Sequence, residues 1–199
     1  MKKNDNELVD FDHRKLLASN LIFNEYNGLL VMEAESVPIA LPWKFETNLV
    51  NSTGPGYYRF DGNTIQFGKP LGKLEFKMKI KTTGLYQLLI RSYKNHKDHT
   101  WSNDCYTRLV GHPGYQGNII KTFAPGKPFK WIYHAQFEVN HHSKPTATYN
   151  FTQPGIYTLE VYGRSKNFHI DRFILFDRTK HTQHRLMITT PKESNRTIS

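Results

Sequence analysis

Two glutamates separated by one residue are the first side chains whose spacing could do chemistry. Glu33 and Glu35 flank Ala34 at the end of an apolar run that is typical of a β-strand. Alternate residues of a strand point to the same face, which places the two carboxylates about 6–7 Å apart. Like charges at that separation need a cation between them, and hard oxygen ligands suit Ca²⁺. The alternative is a carboxylate pair that faces solvent.

A tryptophan in a polar loop offers a second kind of chemistry. Trp101 lies in the segment Asn95–Asn103, which is rich in His, Lys, Asp and Asn and has little core to enter. A flat indole can pack against the C–H face of a sugar, and covering about 100 Å² of apolar surface contributes roughly 2.5 kcal/mol. Trp131 begins an apolar strand and is either a second platform or a core residue. Tyr58 and Tyr93 are further aromatic candidates.

Positively charged side chains and imidazoles surround Trp101 in the sequence, namely Arg91, Lys94, His96, Lys97 and His99. Arginine binds sulfate or carboxylate in a bidentate manner and lysine acts as a point charge, so this grouping favours an anionic sugar. The alternative is a solvated loop. Zinc is disfavoured because no acidic or Cys partner has suitable spacing. Asn103 closes the loop and is a candidate for hydrogen bonds to sugar hydroxyls.

The charge balance points in the same direction. The chain has 199 residues with 27 basic and 17 acidic side chains, a net charge of +10, and the stretch 29–177 alone carries +7. A basic surface favours nucleic acid, anionic lipid or an acidic polysaccharide, and charge does not choose among them. The single cysteine, Cys105, excludes an intramolecular disulfide and a Cys-rich zinc site. No apolar run approaches the roughly 18 residues of a membrane span.

Period-two alternation dominates the local pattern. In Leu74–Lys81 four apolar residues alternate with four charged ones, which predicts a strand with one face buried. The turn Thr82–Gly84 leads into the β-rich run Leu85–Tyr93, and this pair reads as a hairpin. Thr146–Phe151 and Ile156–Tyr162, separated by Gln153-Pro154-Gly155, read as a second hairpin.

Many short strands between Gly and Pro turns predict an all-β fold, an antiparallel β-sandwich of the jelly-roll type. A possible short N-terminal helix is expected within Asp12–Asn27, where Gly28 provides a stop. The predicted organisation is an N-terminal extension over residues 1–28, a sandwich domain over 29–177, and a polar basic tail or linker over 178–199.

Several blocks, taken in order, resemble β-sandwich carbohydrate-binding modules of the family-6 and family-35 type. The resemblance covers about three quarters of the chain. The blocks are Asn27–Glu35 with its Glu-Ala-Glu ending, Gly54–Tyr58, Gly84–Arg91, Asn103–Leu109, Gly155–Arg164 and Phe168–Phe176.

The resemblance implies specific roles. In such modules the glutamates of the first strand and an aspartate of the last strand bind a structural Ca²⁺, which here implies Glu33, Glu35 and Asp171 as ligands. Their sugar site usually lies on loops at one end of the sandwich and uses two aromatic platforms and an amide. His169 stands where the family often has its ligand-binding asparagine. A histidine can still bond a hydroxyl, although the change weakens any transfer of specificity for a neutral sugar.

The sequence therefore predicts non-catalytic carbohydrate binding that targets an attached glycoside hydrolase or similar enzyme to an acidic or sulfated polysaccharide, such as an algal galactan. By resemblance, we expect a monomeric module of a secreted or cell-surface protein, with neither nucleic acid nor membrane as partner and no catalytic residues. The alternatives are a jelly-roll polysaccharide lyase and, less favoured, a nucleic-acid binder. No G-x-S-x-G, P-loop or H-E-x-x-H motif is present.

Overall fold

The computed structural model describes residues 20–98, 100–112, 117–140 and 143–198. These contain fourteen strands, a 3-10 turn at Ala34–Ser36 and one α-helix, α1 (Gln183–Thr189). The strands are β1 (Leu21–Asn24), β2 (Leu29–Glu33), β3 (Trp43–Glu46), β4 (Tyr57–Phe60), β5 (Leu71–Ile80), β6 (Gly84–Lys94), β7 (Asp104–Val110), β8 (Ile120–Phe123), β9 (Trp131–His134), β10 (Gln136–Phe137), β11 (Thr148–Phe151), β12 (Gly155–Gly163), β13 (Phe168–Asp177) and β14 (Arg196–Ile198).

The strands form two packed sheets, which confirms the predicted all-β sandwich. The first sheet has the order β10-β8-β7-β12-β5-β1-β14. The second has the order β11-β6-β13-β4-β3, with β2 also paired to β13 and β9 also paired to β6. Apart from the parallel β1–β5 pair, the pairings between these strands are antiparallel.

Alternation in β5 works as predicted. Leu74, Phe76, Met78 and Ile80 are buried, while Glu75 and Lys79 between them are exposed. Phe76 contacts Phe173 of the opposite sheet with ring centroids 4.9 Å apart, so the core lies between the two sheets. Burial of the four apolar side chains of β5 contributes on the order of 6–12 kcal/mol before the loss of chain entropy.

Both predicted hairpins are wrong. β5 lies in the first sheet and β6 in the second, and the same holds for β12 and β11 respectively. Each connection carries the chain across the core from one sheet to the other, so the two strands pack through side chains instead of pairing through backbone. The turn residues correctly mark where the chain reverses, but they do not determine which strand becomes the hydrogen-bonded neighbour.

The outer face of the second sheet carries a smaller apolar cluster. It contains Leu186 of α1 and residues of four strands, Val31, Leu89, Tyr133, Ile174 and Phe176. Because the main core covers the inner face and this cluster covers part of the outer face, every residue of β13 is buried.

The segments outside 29–177 add elements to the sandwich. Residues 21–24 were expected to be helical, but they form the strand β1. They pair with β5 and β14 and bury Phe23. Residues 20 and 25–27 are not helical either, and residues 12–19 of the expected helix lie outside the described residues. The proposed division at residues 28 and 177 stays a prediction.

The C-terminal segment also closes the free edge of β2. Ser194 N–H donates to the carbonyl of Val31 and Ser194 Oγ accepts from the Val31 amide, both at 2.9 Å. Glu193 accepts a bond from the Glu33 amide at 3.1 Å. Among the described residues, no helix is long and apolar enough to cross a membrane.

Candidate functional site

A cleft opens on the outer face of the second sheet, where β6 and β9 meet the loop between β3 and β4. Across the antiparallel β6–β9 pair Tyr93 lies opposite Trp131 and Arg91 opposite Tyr133, so these four side chains share one face. The cleft has a volume of about 400 Å³. It is lined by Leu49, Val50, Asn51, Arg91, Tyr93, Phe129, Lys130 and Trp131.

Trp131 is the most firmly held aromatic group of the cleft. Its indole Nε1 donates to the carbonyl of Val50 at 3.0 Å, which joins β9 to the β3–β4 loop. Its ring contacts Tyr57 and Tyr93, each with centroids 5.4 Å apart. The indole is thus half-buried and fixed on several sides, as a preorganised binding platform requires.

Arg91 connects the cleft to the buried carboxylates beneath it. Its guanidinium carbon lies 4.9 Å from the centroid of the Trp131 ring. Nη1 forms an ion pair with Asp171 at 2.6 Å, and Nη2 donates to the carbonyl of Asn51 at 2.7 Å. The Arg91 charge is therefore largely used within the protein, and Lys130 is the exposed cation of the cleft lining.

Trp101 lies in a different environment. It is half-buried and stacks on His96, with ring centroids 4.5 Å apart and an interplanar angle of 35°. Neither residue lines the cleft, whereas Lys97 beside them is exposed. Asn103 is buried at the end of the loop, and its backbone carbonyl accepts a hydrogen bond from the Ala124 amide at 2.9 Å. The predicted candidates thus separate into a cleft group and a loop group.

Two predicted sugar contacts are placed beneath the surface. His169 is only 2% exposed, packs against the rings of Tyr57 and Tyr93, and Nδ1 lies 3.1 Å from the carbonyl of Tyr93. Burial lowers the pKa of His169 to about 4. Tyr58 is also buried and donates to the carbonyl of Val37 at 2.7 Å. His169 thus supports the rings of the cleft from below, Tyr58 belongs to the main core, and neither side chain is open to a ligand.

Phe129 and Lys130 are cleft residues that the sequence reasoning missed. Phe129 is 52% exposed and precedes the strand that carries Trp131. The signal was present in Lys127-Pro128-Phe129-Lys130-Trp131, where two rings alternate with two lysines at the entry to a strand. Pro125, Gly126 and Pro128 in the same stretch are typical of a turn and mask this signal.

The three predicted calcium ligands lie near one another. Thr53 Oγ1 lies 2.8 Å from Glu33 Oε2 and 2.5 Å from Asp171 Oδ2, so its single hydroxyl proton is shared between the two carboxylates. Burial is the main cause that raises the pKa of Glu35 to about 8, and the charges of both carboxylates add to it. Both carboxylate oxygens of Glu35 are buried without a hydrogen-bond partner.

Arginine side chains form ion pairs with the other two carboxylates, Glu33 and Asp171. Arg172 pairs with Glu33 through Nη2 and through Nε, the latter at 3.1 Å, while Arg91 pairs with Asp171. Among the described residues, no group of three or more His, Cys, Asp and Glu is arranged to hold a metal ion. The chemistry of the donors suits a hard cation, and the unpartnered Glu35 is the group that such a cation would satisfy.

The fold matches solved structures at low sequence identity. The GH26-CBM35 β-(1,4)-mannanase of Podospora anserina matches with a TM-score of 0.54 and 20% identity over 79% of this chain, which spans 29% of that enzyme. The C-terminal CBM6 of LamC, a marine laminarinase from Zobellia galactanivorans, matches with a TM-score of 0.50 and 14% identity over 75% of this chain and 99% of that module. This chain has the CBM6/CBM35 fold.

A shared fold establishes the architecture of this chain, but its binding site depends on its own residues. No family model matches the sequence. No curated protein matches it either.

Proposed function

We propose that this protein is a non-catalytic carbohydrate-binding module whose ligand occupies the cleft at Trp131. The observation that carries the proposal is an open cleft of about 400 Å³ that combines a fixed indole, an exposed phenyl ring and an exposed lysine. The structural neighbours, which are or contain modules of the CBM6 and CBM35 type by name, support the same class of function.

The physics of the cleft suits a pyranose. The sugar's apolar C–H face packs against aromatic rings, and each well-covered ring contributes roughly 2.5 kcal/mol for about 100 Å² of buried surface. Lys130 in the cleft lining supplies a polar partner for sugar hydroxyls. One or two such stacking contacts predict dissociation constants between about 1 mM and 1 μM.

The ligand that we propose is an anionic glycan, with a sulfated galactan as the first candidate. Its support is the +7 charge of residues 29–177 together with Lys130 in the cleft and the exposed Lys127 in the same loop. A point charge at the rim attracts sulfate or carboxylate without demanding a fixed geometry.

The proposed biological role is delivery of an attached enzyme to its polymer, outside the cell. A tethered module keeps a catalytic domain near a dilute or insoluble substrate and so raises its effective concentration. The support is the mannanase neighbour, in which the matching region is part of a longer chain.

The test is affinity electrophoresis through carrageenan, agarose, laminarin and polygalacturonate, followed by calorimetry on any polymer that retards the protein. We expect retardation by carrageenan, and Trp131→Ala should abolish it. Retardation by laminarin alone would keep carbohydrate binding and overturn the anionic preference. Rising absorbance of unsaturated product with polygalacturonate would replace the proposal with a lyase. Binding to DNA with a steep salt dependence, and to no glycan, would replace it with a nucleic-acid binder.

We also propose that a structural Ca²⁺ satisfies Glu35, with Glu33 and Asp171 as the neighbouring carboxylates. The ion would tie the end of β2 to β13, and it would take no part in catalysis. The support is the pair of unpartnered, buried oxygens of Glu35. The competing state is Glu35 held as a neutral acid, which its raised pKa allows at pH 7.

Thermal unfolding at pH 7 with 1–2 equivalents of Ca²⁺ or with excess chelator separates the two states. Stabilisation by Ca²⁺ that is lost in Glu35→Gln supports the ion, because only the carboxylate supplies the charge that binds it. Equal melting temperatures with Ca²⁺ and with chelator, together with a stabilising Glu35→Gln, would show that Glu35 is protonated and binds no ion.

A further inference from the structure

Phe129 has a backbone conformation that needs an explanation. Its φ is 57°, in the left-handed region, which is a genuine outlier for a bulky non-glycine residue. Such a conformation is strained and persists only where the surroundings enforce it. Packing of the ring cannot provide that enforcement, because the side chain remains 52% exposed.

The enforcement comes from Lys94, the last residue of β6. Its carbonyl accepts a hydrogen bond from the Phe129 amide at 3.0 Å. Its ammonium donates to the carbonyl of Gly126, so one residue holds both ends of the segment 126–129. On the far side of the loop Gly126 lies so close to Ile132 that an added Cβ would approach the Ile132 side chain to 2.3 Å.

Lys94 is also unusual in its own environment. It is only 2% exposed, which is rare for a lysine because its charge is costly to bury. Burial lowers its pKa, and the charge of Asp98 opposes that shift. The buried ammonium is directed at the carbonyl of Gly126, so its place inside the loop suits a positional task.

We propose that Lys94 is a positioning residue that sets the Phe129 ring beside Trp131 as the second aromatic surface of the glycan cleft. This inference rests on the proposed function, because it assigns the role of a residue behind the same cleft. Lys94 acts through the loop and does not itself touch the sugar.

The test compares Lys94→Met, which keeps the length of the side chain but removes its donor, with the wild-type protein. Carrageenan is the probe for binding, and amide hydrogen exchange of residues 126–130 is the readout that needs no ligand. We expect Lys94→Met to weaken carrageenan binding about tenfold and to speed exchange of the Phe129 amide. Lys79→Met, on an exposed position of the other sheet, removes the same charge as a control and should change neither.

A double-mutant cycle separates positioning from general damage. Lys94→Met should add little to Phe129→Ala, because both remove the same ring contact, whereas it should add its full effect to a Lys130→Ala background. Additivity with Phe129→Ala, or unchanged exchange at residues 126–130, would overturn the inference. If Lys94→Met does not fold, a slowly exchanging Lys94 ammonium signal in the wild-type protein supports the inference, and its absence overturns it. If the wild-type protein binds no glycan, the proposed function fails, and the exchange data still decide whether Lys94 holds the loop.

Discussion

Trp101 and Trp131 are both half-buried tryptophans beside basic residues, yet the structure places them in different settings. Trp131 is fixed by a backbone carbonyl, by two tyrosine rings and by the guanidinium of Arg91. Trp101 stacks on His96 within its own loop. The comparison teaches that partial exposure alone does not define a sugar platform. The neighbouring groups that hold an aromatic ring decide whether it borders an open, preformed cleft.

The largest expected effect comes from removing the arginine that underlies Trp131. In Arg91→Met the fully buried Asp171 loses its ion pair, and breaking a buried pair in this way costs about 3–5 kcal/mol. Urea unfolding should show this loss. Glu75→Gln, which removes an exposed pair with Lys73, should cost less than about 1 kcal/mol. Equal losses of unfolding free energy in the two variants would mean that the buried Arg91–Asp171 pair beneath Trp131 contributes no more than an exposed pair.

The next effect separates the two tryptophans directly. Trp131→Ala should weaken carrageenan binding about 30- to 100-fold, in line with the loss of roughly 2–3 kcal/mol for a central aromatic contact. Trp101→Ala should change it by less than about threefold, since its ring lies outside the cleft. Calorimetry measures both constants. The reverse order would move the site to the loop group and restore the prediction that favoured Trp101.

A smaller effect tests whether charge in the cleft matters. Lys130→Ala should weaken carrageenan binding about three- to tenfold and reduce its dependence on salt, because one ammonium near the ligand is lost. Lys97→Ala, in the loop of Trp101, should have a smaller effect. A titration series between low and high NaCl gives the slopes. If Lys97→Ala reduces the slope more than Lys130→Ala, the anionic group of the glycan lies nearer to Trp101.

The smallest effect concerns acid. His134 lies on β9, three residues after Trp131, and burial lowers its pKa below the usual 6.5. The unfolded chain therefore binds more protons than the folded one below about pH 6.5, and stability falls as the pH falls through that range. Urea unfolding between pH 7 and pH 5 should show a decline that is shallower in His134→Gln. Identical slopes of unfolding free energy against pH in the two proteins would show that protonation of His134 does not contribute to the loss of stability in acid.

The sequence was a good guide to strands and a poor guide to their pairing. Alternation in β5 identified its buried face because one face packs on the core and the other meets solvent. The hairpins failed because a short Gly-containing connection is compatible with a turn inside one sheet or a crossing between two. Only the packing of both sheets, with β13 central and buried throughout, decides between them.

The sequence indicated several of the residues that form the site, but not how deeply each side chain is buried. Arg91, Tyr93 and Trp131 were identified as candidates and do meet in the cleft. His169 and Tyr58 were expected at the surface, but strand positions covered on both faces give no local signal of that burial. Phe129 was missed because its role depends on a left-handed backbone enforced by a residue 35 positions away.

The closure of β2 by Glu193 and Ser194 has a consequence for the molecule's behaviour in a crowded solution. A bare row of amides and carbonyls at a sheet margin is a template on which a second copy could add a strand. Here the chain's own distant residues already occupy the Val31 and Glu33 groups. That margin is therefore closed to strand addition by a second copy.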